Sequence, residues 1–228
     1  MSSVASKSLR LYFSTSVGKK QLMAITGLLL SGFLVTHLLG NILIVVGADA
    51  FNYYAYKLTS NPLIYVAEAG LAGLFLLHLV LAMVLTVQNK KSRGSNGYFM
   101  KVNTGRGTTF ASKSMPYTGF VILIFLILHI RDLKFGPVYM TTVDGVEMRD
   151  LHRTVIEYFA DPLHTAWYVF AMAMMALHLG HGFQSTFQSL GWRHPKYTPA
   201  IKKIGLGFAV VVSLGFAAIS AYCFNLNA

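Results

Sequence analysis

From Gln21 to Val46 the chain carries no charged side chain, and that one stretch restricts what it can become. A hydrocarbon core is crossed by about 20 apolar residues rising 1.5 Å each. Inside lipid a backbone must satisfy its own hydrogen bonds, so a run of this kind folds as a helix. Four more runs follow: Pro62 to Gln88, interrupted only by Glu68; Met115 to Ile130, the shortest; Pro162 to Gln188; and Ile204 to Phe224. The sequence therefore predicts an all-α integral membrane bundle of five transmembrane helices, at about 21–46, 62–88, 115–130, 162–188 and 204–224. It reads as a single membrane domain over residues 1–228. Only 12% of residues are charged against 54% hydrophobic, too little charge to coat a soluble domain of this length. Asn61-Pro62 and Asp161-Pro162 each set a capping residue before a proline, the favoured order at a helix N-terminus.

The formal charge of +11 falls in short segments between the apolar runs, which points away from nucleic acid. Lys7, Arg10, Lys19 and Lys20 precede the first run. Six basic residues from Lys90 to Lys113 separate the second from the third, and Arg193, Lys196, Lys202 and Lys203 precede the fifth. The segment after the first run has only Lys57, and the one after the third mixes Arg131, Lys134, Arg149 and Arg153 with most of the chain's acids. Positive segments stay on the cytoplasmic side, so the expected topology is N-terminus inside and C-terminus outside. Residues 1–20 show no signal-peptide pattern. The lone cysteine, Cys223, excludes a disulfide framework, a Cys-ligated iron–sulfur cluster and a thioether-attached haem.

Histidines carry the functional signal. His37, His78, His129 and His178 lie well inside four different runs, with His181 close to the last. An ionisable residue there costs roughly 2–3 kcal/mol and marks function unless a neighbouring helix satisfies it. With the first and third runs crossing outward and the second and fourth inward, the four sort by depth. His37 and His129 form an outer pair; His78 and His178, each sixteen residues beyond its proline, form an inner pair about 10 Å away. Two facing imidazoles at one depth suit a six-coordinate haem, closed to oxygen and fit for electron transfer. Four histidines on two levels do not make one tetrahedral zinc site. The depth match favours His178 over His181, which stands as the alternative ligand or as a partner for a haem propionate. His152, His164 and His194 read as surface or helix-end residues. The glycines around the ligands allow close helix approach.

The stretch Gly18-Lys-Lys-Gln-Leu-Met-Ala-Ile-Thr-Gly27, followed by Thr36-His37-Leu-Leu-Gly-Asn41, resembles the first helix of the single-chain dihaem cytochrome b subunit of succinate:quinone oxidoreductases. Leu177-His178-Leu-Gly-His-Gly182-Phe-Gln-Ser is similar to that family's fourth ligand helix, and Ser112-Lys-Ser-Met-Pro-Tyr-Thr-Gly119 to the beginning of its third. The resemblance implies two haem b groups, paired as depth pairs them, in a bacterial inner membrane. It also implies a cytoplasmic FAD flavoprotein and an iron–sulfur subunit as partners, and a quinone, menaquinone in the usual case, reacting beside the outer haem. This subunit would serve succinate dehydrogenase or fumarate reductase, and so the tricarboxylic acid cycle, without touching the dicarboxylate itself. Glu68, about 9 Å into the second run, is the candidate carboxylate for proton exchange with quinone, or else a hydrogen-bonded structural group. Arg131, Lys113, Arg153 and Arg106 are candidate propionate partners, with simple solvation as the alternative.

Other readings remain on the residues alone. The cytochrome b of quinol–cytochrome c reductases carries two histidines on each of two helices, unlike this chain. Dihaem anchors of hydrogenases or formate dehydrogenases are a nearer alternative. A histidine-relay transporter calls for inverted repeats and paired buried acids, and Glu68 is alone.

Overall fold

The computed structural model describes residues 11–92 and 110–227. Among them, five helices are long and apolar enough to cross a membrane. Helix α1 is Ser16–Val46, its start capped by Thr15, whose hydroxyl accepts from the Gly18 N–H at 3.0 Å. It ends at Gly47, whose φ of 145° only glycine adopts freely, and the chain turns directly into a short helix, α2 (Ala48–Thr59). Asn61 then caps α3 (Leu63–Lys91) by accepting from the Leu63 N–H.

Helix α4 (Phe110–His129) tightens no further at its end; it widens into a π turn, Ile130–Lys134. A hairpin follows, Met140–Val143 against Val146–Arg149, turned by Asp144 and Gly145, both at positive φ as a two-residue hairpin turn requires. Asp150 caps α5 (Leu151–Phe159), and Asp161 with Pro162 starts α6 (Pro162–Ser189). The last helix, α7, is Thr198–Asn225.

Three of the expected spans are markedly longer than their apolar runs: α1 begins at Ser16, the third extends from Ser112 to Lys134, and α7 begins at Thr198. The segments after the first and third spans are folded rather than plain loops.

Helix α1 packs against α3, α6 and α7; α6 packs against α1, α4 and α7. In the order α3, α1, α6, α4 the histidine-bearing helices make three sides of a square, with α7 laid along α1 and α6. The fourth side, between α3 and α4, is not closely packed. Large apolar side chains such as Leu76, Ile127 and Val211 are more than half exposed around the bundle, as expected where lipid is the solvent.

Helix α2, the hairpin and α5 cap one end, which we call the hairpin end. Ile44, Phe51, Val155, Phe159, Tyr168 and Cys223 form its core. Buried Asn52 ties the two segments together: it donates to Asp150 Oδ1 at 2.9 Å and accepts from the His152 N–H at 2.8 Å. Arg149 donates to the carbonyls of Leu133, Lys134 and Pro137, closing the π turn's free end.

Candidate functional site

His37 and His129 meet across one diagonal of the square, and His78 lies near His178 across the other. At the hairpin end, His37 of α1 and His129 of α4 bring their ring centres to 5.8 Å with the planes at 88°. Each ring stacks on a phenylalanine one turn earlier: Phe33 against His37 at 5.2 Å and Phe125 against His129 at 5.5 Å. These aromatic walls leave each imidazole little room to rotate. Nδ1 of His129 lies 3.1 Å from the Tyr168 hydroxyl. The ring nitrogens of His37 stand 3.5 Å from the Asn41 amide, too long to count as firm bonds; that amide donates to the His37 carbonyl instead, at 2.8 Å.

The second pair joins α3 and α6. His178 has His78 and His181 as its electrostatic neighbours. Nδ1 of His78 lies 2.9 Å from the Thr26 hydroxyl on α1, and Nδ1 of His178 lies 3.1 Å from the Thr118 hydroxyl on α4. Thr26 is eleven residues from His37 and Thr118 eleven from His129, so the two levels are separated by about 16 Å of helix rise. That is more than the 10 Å expected from the lengths of the apolar runs, because the helices extend beyond those runs.

His181 sits one turn beyond His178. Ser185 Oγ lies 3.0 Å from its Nε2, while its Nδ1 is buried without a partner. Among the described residues no three histidine, cysteine or acidic side chains converge.

A polar chain leads from the hairpin-end pair toward the surface. Tyr168 hydrogen-bonds to Tyr158, and Tyr158 donates to Asp132 at 3.1 Å. Burial and the nearby Asp132 charge push the Tyr158 phenol up to about 12. Asp132 also binds Arg131 in a two-pronged pair. The chain ends in a surface cavity of about 230 Å³ lined by Asp132, Pro137, Tyr139, Thr154, Glu157 and Tyr158. Hydrogen bonds from Tyr139 and Arg153 hold the Glu157 carboxyl below its ordinary range.

Glu68 is placed differently from the buried carboxylate expected. Its side chain is 41% exposed and pairs with Lys134 at 2.5 Å, spanning the open side from α3 to the π turn. Among the described helices α1 is the one that packs closely on α3, which leaves Glu68 half-exposed. Arg131 is committed to Asp132, and Arg153 to Glu157 and the Tyr139 ring, so neither points into the histidine levels. Lys113 is exposed near the start of the third span. Arg106 lies outside the described residues. His164 stacks on Tyr158 at 4.1 Å, His152 gives its backbone N–H to Asn52 while its ring meets Phe51 edge-on, and His194 serves a local turn.

Thr26, Thr118 and Tyr168 were not singled out from sequence, although a signal for the threonines existed. Met23-x2-Thr26-Gly27-x5-Phe33-Leu34-x2-His37 returns as Met115-x2-Thr118-Gly119-x5-Phe125-Leu126-x2-His129. Pro62-Leu63-x13-Leu77-His78-Leu79 returns as Pro162-Leu163-x13-Leu177-His178-Leu179. The α1–α3 and α4–α6 pairs are thus one pattern used twice, and each level takes one histidine from each use. Compared with protein-family models, with curated proteins and with solved structures, the chain has no match.

Proposed function

We propose that this chain is the membrane-anchor cytochrome b subunit of a succinate:quinone oxidoreductase. It carries electrons through two bis-histidine haem b groups between a cytoplasmic iron–sulfur subunit and a membrane quinone. The observation that carries the reading is the His37–His129 pair. Two imidazoles bound to one metal at ~2 Å each have ring centres roughly 6 Å apart, and these two, from helices on a diagonal, stand at 5.8 Å. The donor set fits haem b, with neutral nitrogen ligands and no thioether cysteine. Ser185 gives its one proton to the His181 carbonyl and accepts from His181 Nε2, so Nδ1 of the neutral ring keeps a lone pair and is not a donor to a propionate.

Bound haem supplies reversible one-electron chemistry. The chain's residues do the rest. His37 with His129, and His78 with His178, would each hold one haem between them and would leave no open ligand site for oxygen. Phe33 and Phe125 hold the hairpin-level rings in place. By the charge distribution, the hairpin end is the outer one, and the basic segments at the opposite end face the cytoplasm, where an iron–sulfur protein and its FAD flavoprotein dock. Glu68 lies at the outer end, on the open side between α3 and α4, where a quinone, menaquinone by the resemblance, reaches from lipid. Its carboxylate takes or gives the proton. The membrane is the bacterial inner membrane.

A dihaem anchor of a hydrogenase or formate dehydrogenase shares the histidine geometry and differs in its soluble partners. The test is the reduced-minus-oxidised spectrum and the haem content of the purified chain, with alanine at His37, His78, His129 and His178 in turn. The reading expects two haems per chain and loss of one spectral component per substitution. The components should be shared within each pair and distinct between pairs. A colourless protein, or a single haem, overturns it.

A further inference from the structure

We propose that Thr26 and Thr118 are the positioning residues of the His78–His178 level, each holding its histidine with Nδ1 as the donor so that Nε2 is free for a metal. The argument begins with the protons. Thr26 Oγ1 lies 3.0 Å from the Met23 carbonyl as well as 2.9 Å from His78 Nδ1. Thr118 Oγ1 lies 3.1 Å from the Met115 carbonyl and 3.1 Å from His178 Nδ1. A hydroxyl has one proton and a carbonyl can only accept. Both contacts are hydrogen bonds at once only if the threonine donates to the carbonyl and accepts from the imidazole. Nδ1 then carries the hydrogen. In a neutral imidazole the other nitrogen, Nε2, keeps its lone pair.

The glycine after each threonine completes the seat. A methyl group at Gly27 would stand 3.4 Å from His78 Cε1, and one at Gly119 would stand 3.5 Å from His178 Cε1. The Cε1 edge of each ring therefore rests against the helix that bonds it, and a larger side chain would push it off. The two seats are built from equivalent positions of the repeated pattern, on helices that are not close neighbours in the chain. At the hairpin level the arrangement differs: Tyr168 serves His129, and His37 has no firm ring bond. The effect of the threonines is thereby confined to one level.

A histidine that ligates metal is oriented, and made a stronger donor, by the acceptor on its other nitrogen; losing that acceptor typically costs 10–100-fold in affinity. The consequence for electron transfer rests on the dihaem reading; the protonation assignment does not. Valine matches threonine in shape and removes the acceptor. In Thr26→Val and Thr118→Val we expect haem at the His78–His178 level to bind 10–100-fold more weakly. We also expect its midpoint potential to rise, because a less basic imidazole stabilises the ferric state less. The other level should be unchanged, and Thr26→Ser or Thr118→Ser should restore both quantities. Nitrogen-15 spectra of histidine-labelled, haem-free chain should show Nδ1-protonated His78 and His178, lost in the valine variants.

If the wild type binds no haem, the dihaem reading falls while the nitrogen spectra still decide the threonine assignment. Equal shifts at both levels, unchanged midpoints in both valine variants, or Nε2-protonated rings in the wild type would each overturn the proposal.

Discussion

The hydroxyl of Tyr168 stands 3.1 Å from Nδ1 of His129, and through Tyr158 the imidazole is linked to the carboxylate of Asp132. An ionised carboxylate only accepts, so every donor in the chain points toward Asp132 and His129 gives its Nδ1 hydrogen to Tyr168. Tyr168→Phe keeps the packing and deletes the acceptor. It should shift the midpoint of the hairpin-level haem, leave the other haem alone and lower stability by about 1 kcal/mol. Redox titration of both spectral components checks this; a shift shared by both would mean a general loosening.

Asn52 closes the cap across 98 residues of sequence, with its amide on Asp150 and its carbonyl on the His152 N–H. Asn52→Leu preserves approximate volume and strands both partners. The expected loss is roughly 3 kcal/mol, seen as a lower unfolding midpoint in detergent. Changes at a freely exposed residue such as Lys57 should be near neutral. An unchanged midpoint would show that the cap is held by its apolar core alone.

Glu68→Gln removes the charge that meets Lys134. Half-exposed ion pairs contribute about 0–1 kcal/mol, so thermal stability should barely move. On the quinone reading, quinone reduction should fall by tenfold or more. Wild-type turnover in Glu68→Gln would reduce the residue to a tether between α3 and the π turn.

The Tyr158 phenol, pushed up to about 12 by burial and by Asp132, yields a pH dependence with a definite sign. A group whose folded pKa is raised contributes stability that is fully present below its unfolded value, near 10. The contribution drains away as pH climbs through 12. In alkaline absorbance titration one tyrosine should ionise near 12 in the wild type and be missing from the curve of Tyr158→Phe. Stability of the two proteins should converge over the same interval. Ionisation of Tyr158 at 10 would show the Tyr158–Asp132 bond to be absent in solution.

Apolar length and misplaced histidines were legible because each has a large energetic cause. A charge-free run such as Gln21–Val46 has few alternatives to a spanning helix, and an imidazole in lipid needs a partner. Less was legible where partners are distant or ordinary. The Asp144-Gly145 turn is a standard hairpin signal hidden among charges, and nothing local announces that Asn52 will meet Asp150. Glu68 was read as buried because its helix is apolar, whereas burial depends on which flank of that helix is covered. Thr26 and Thr118 look like common helix residues until the spacing to His37 and His129 is compared.

The repeated pattern also means that neither half of the chain holds both members of a histidine pair. His37 waits for His129, and His78 for His178. As the polypeptide emerges from its amino terminus, the third span completes one set and only the fourth completes the other. Half a protein, severed between α3 and α4, would hold two unmatched imidazoles and no finished centre.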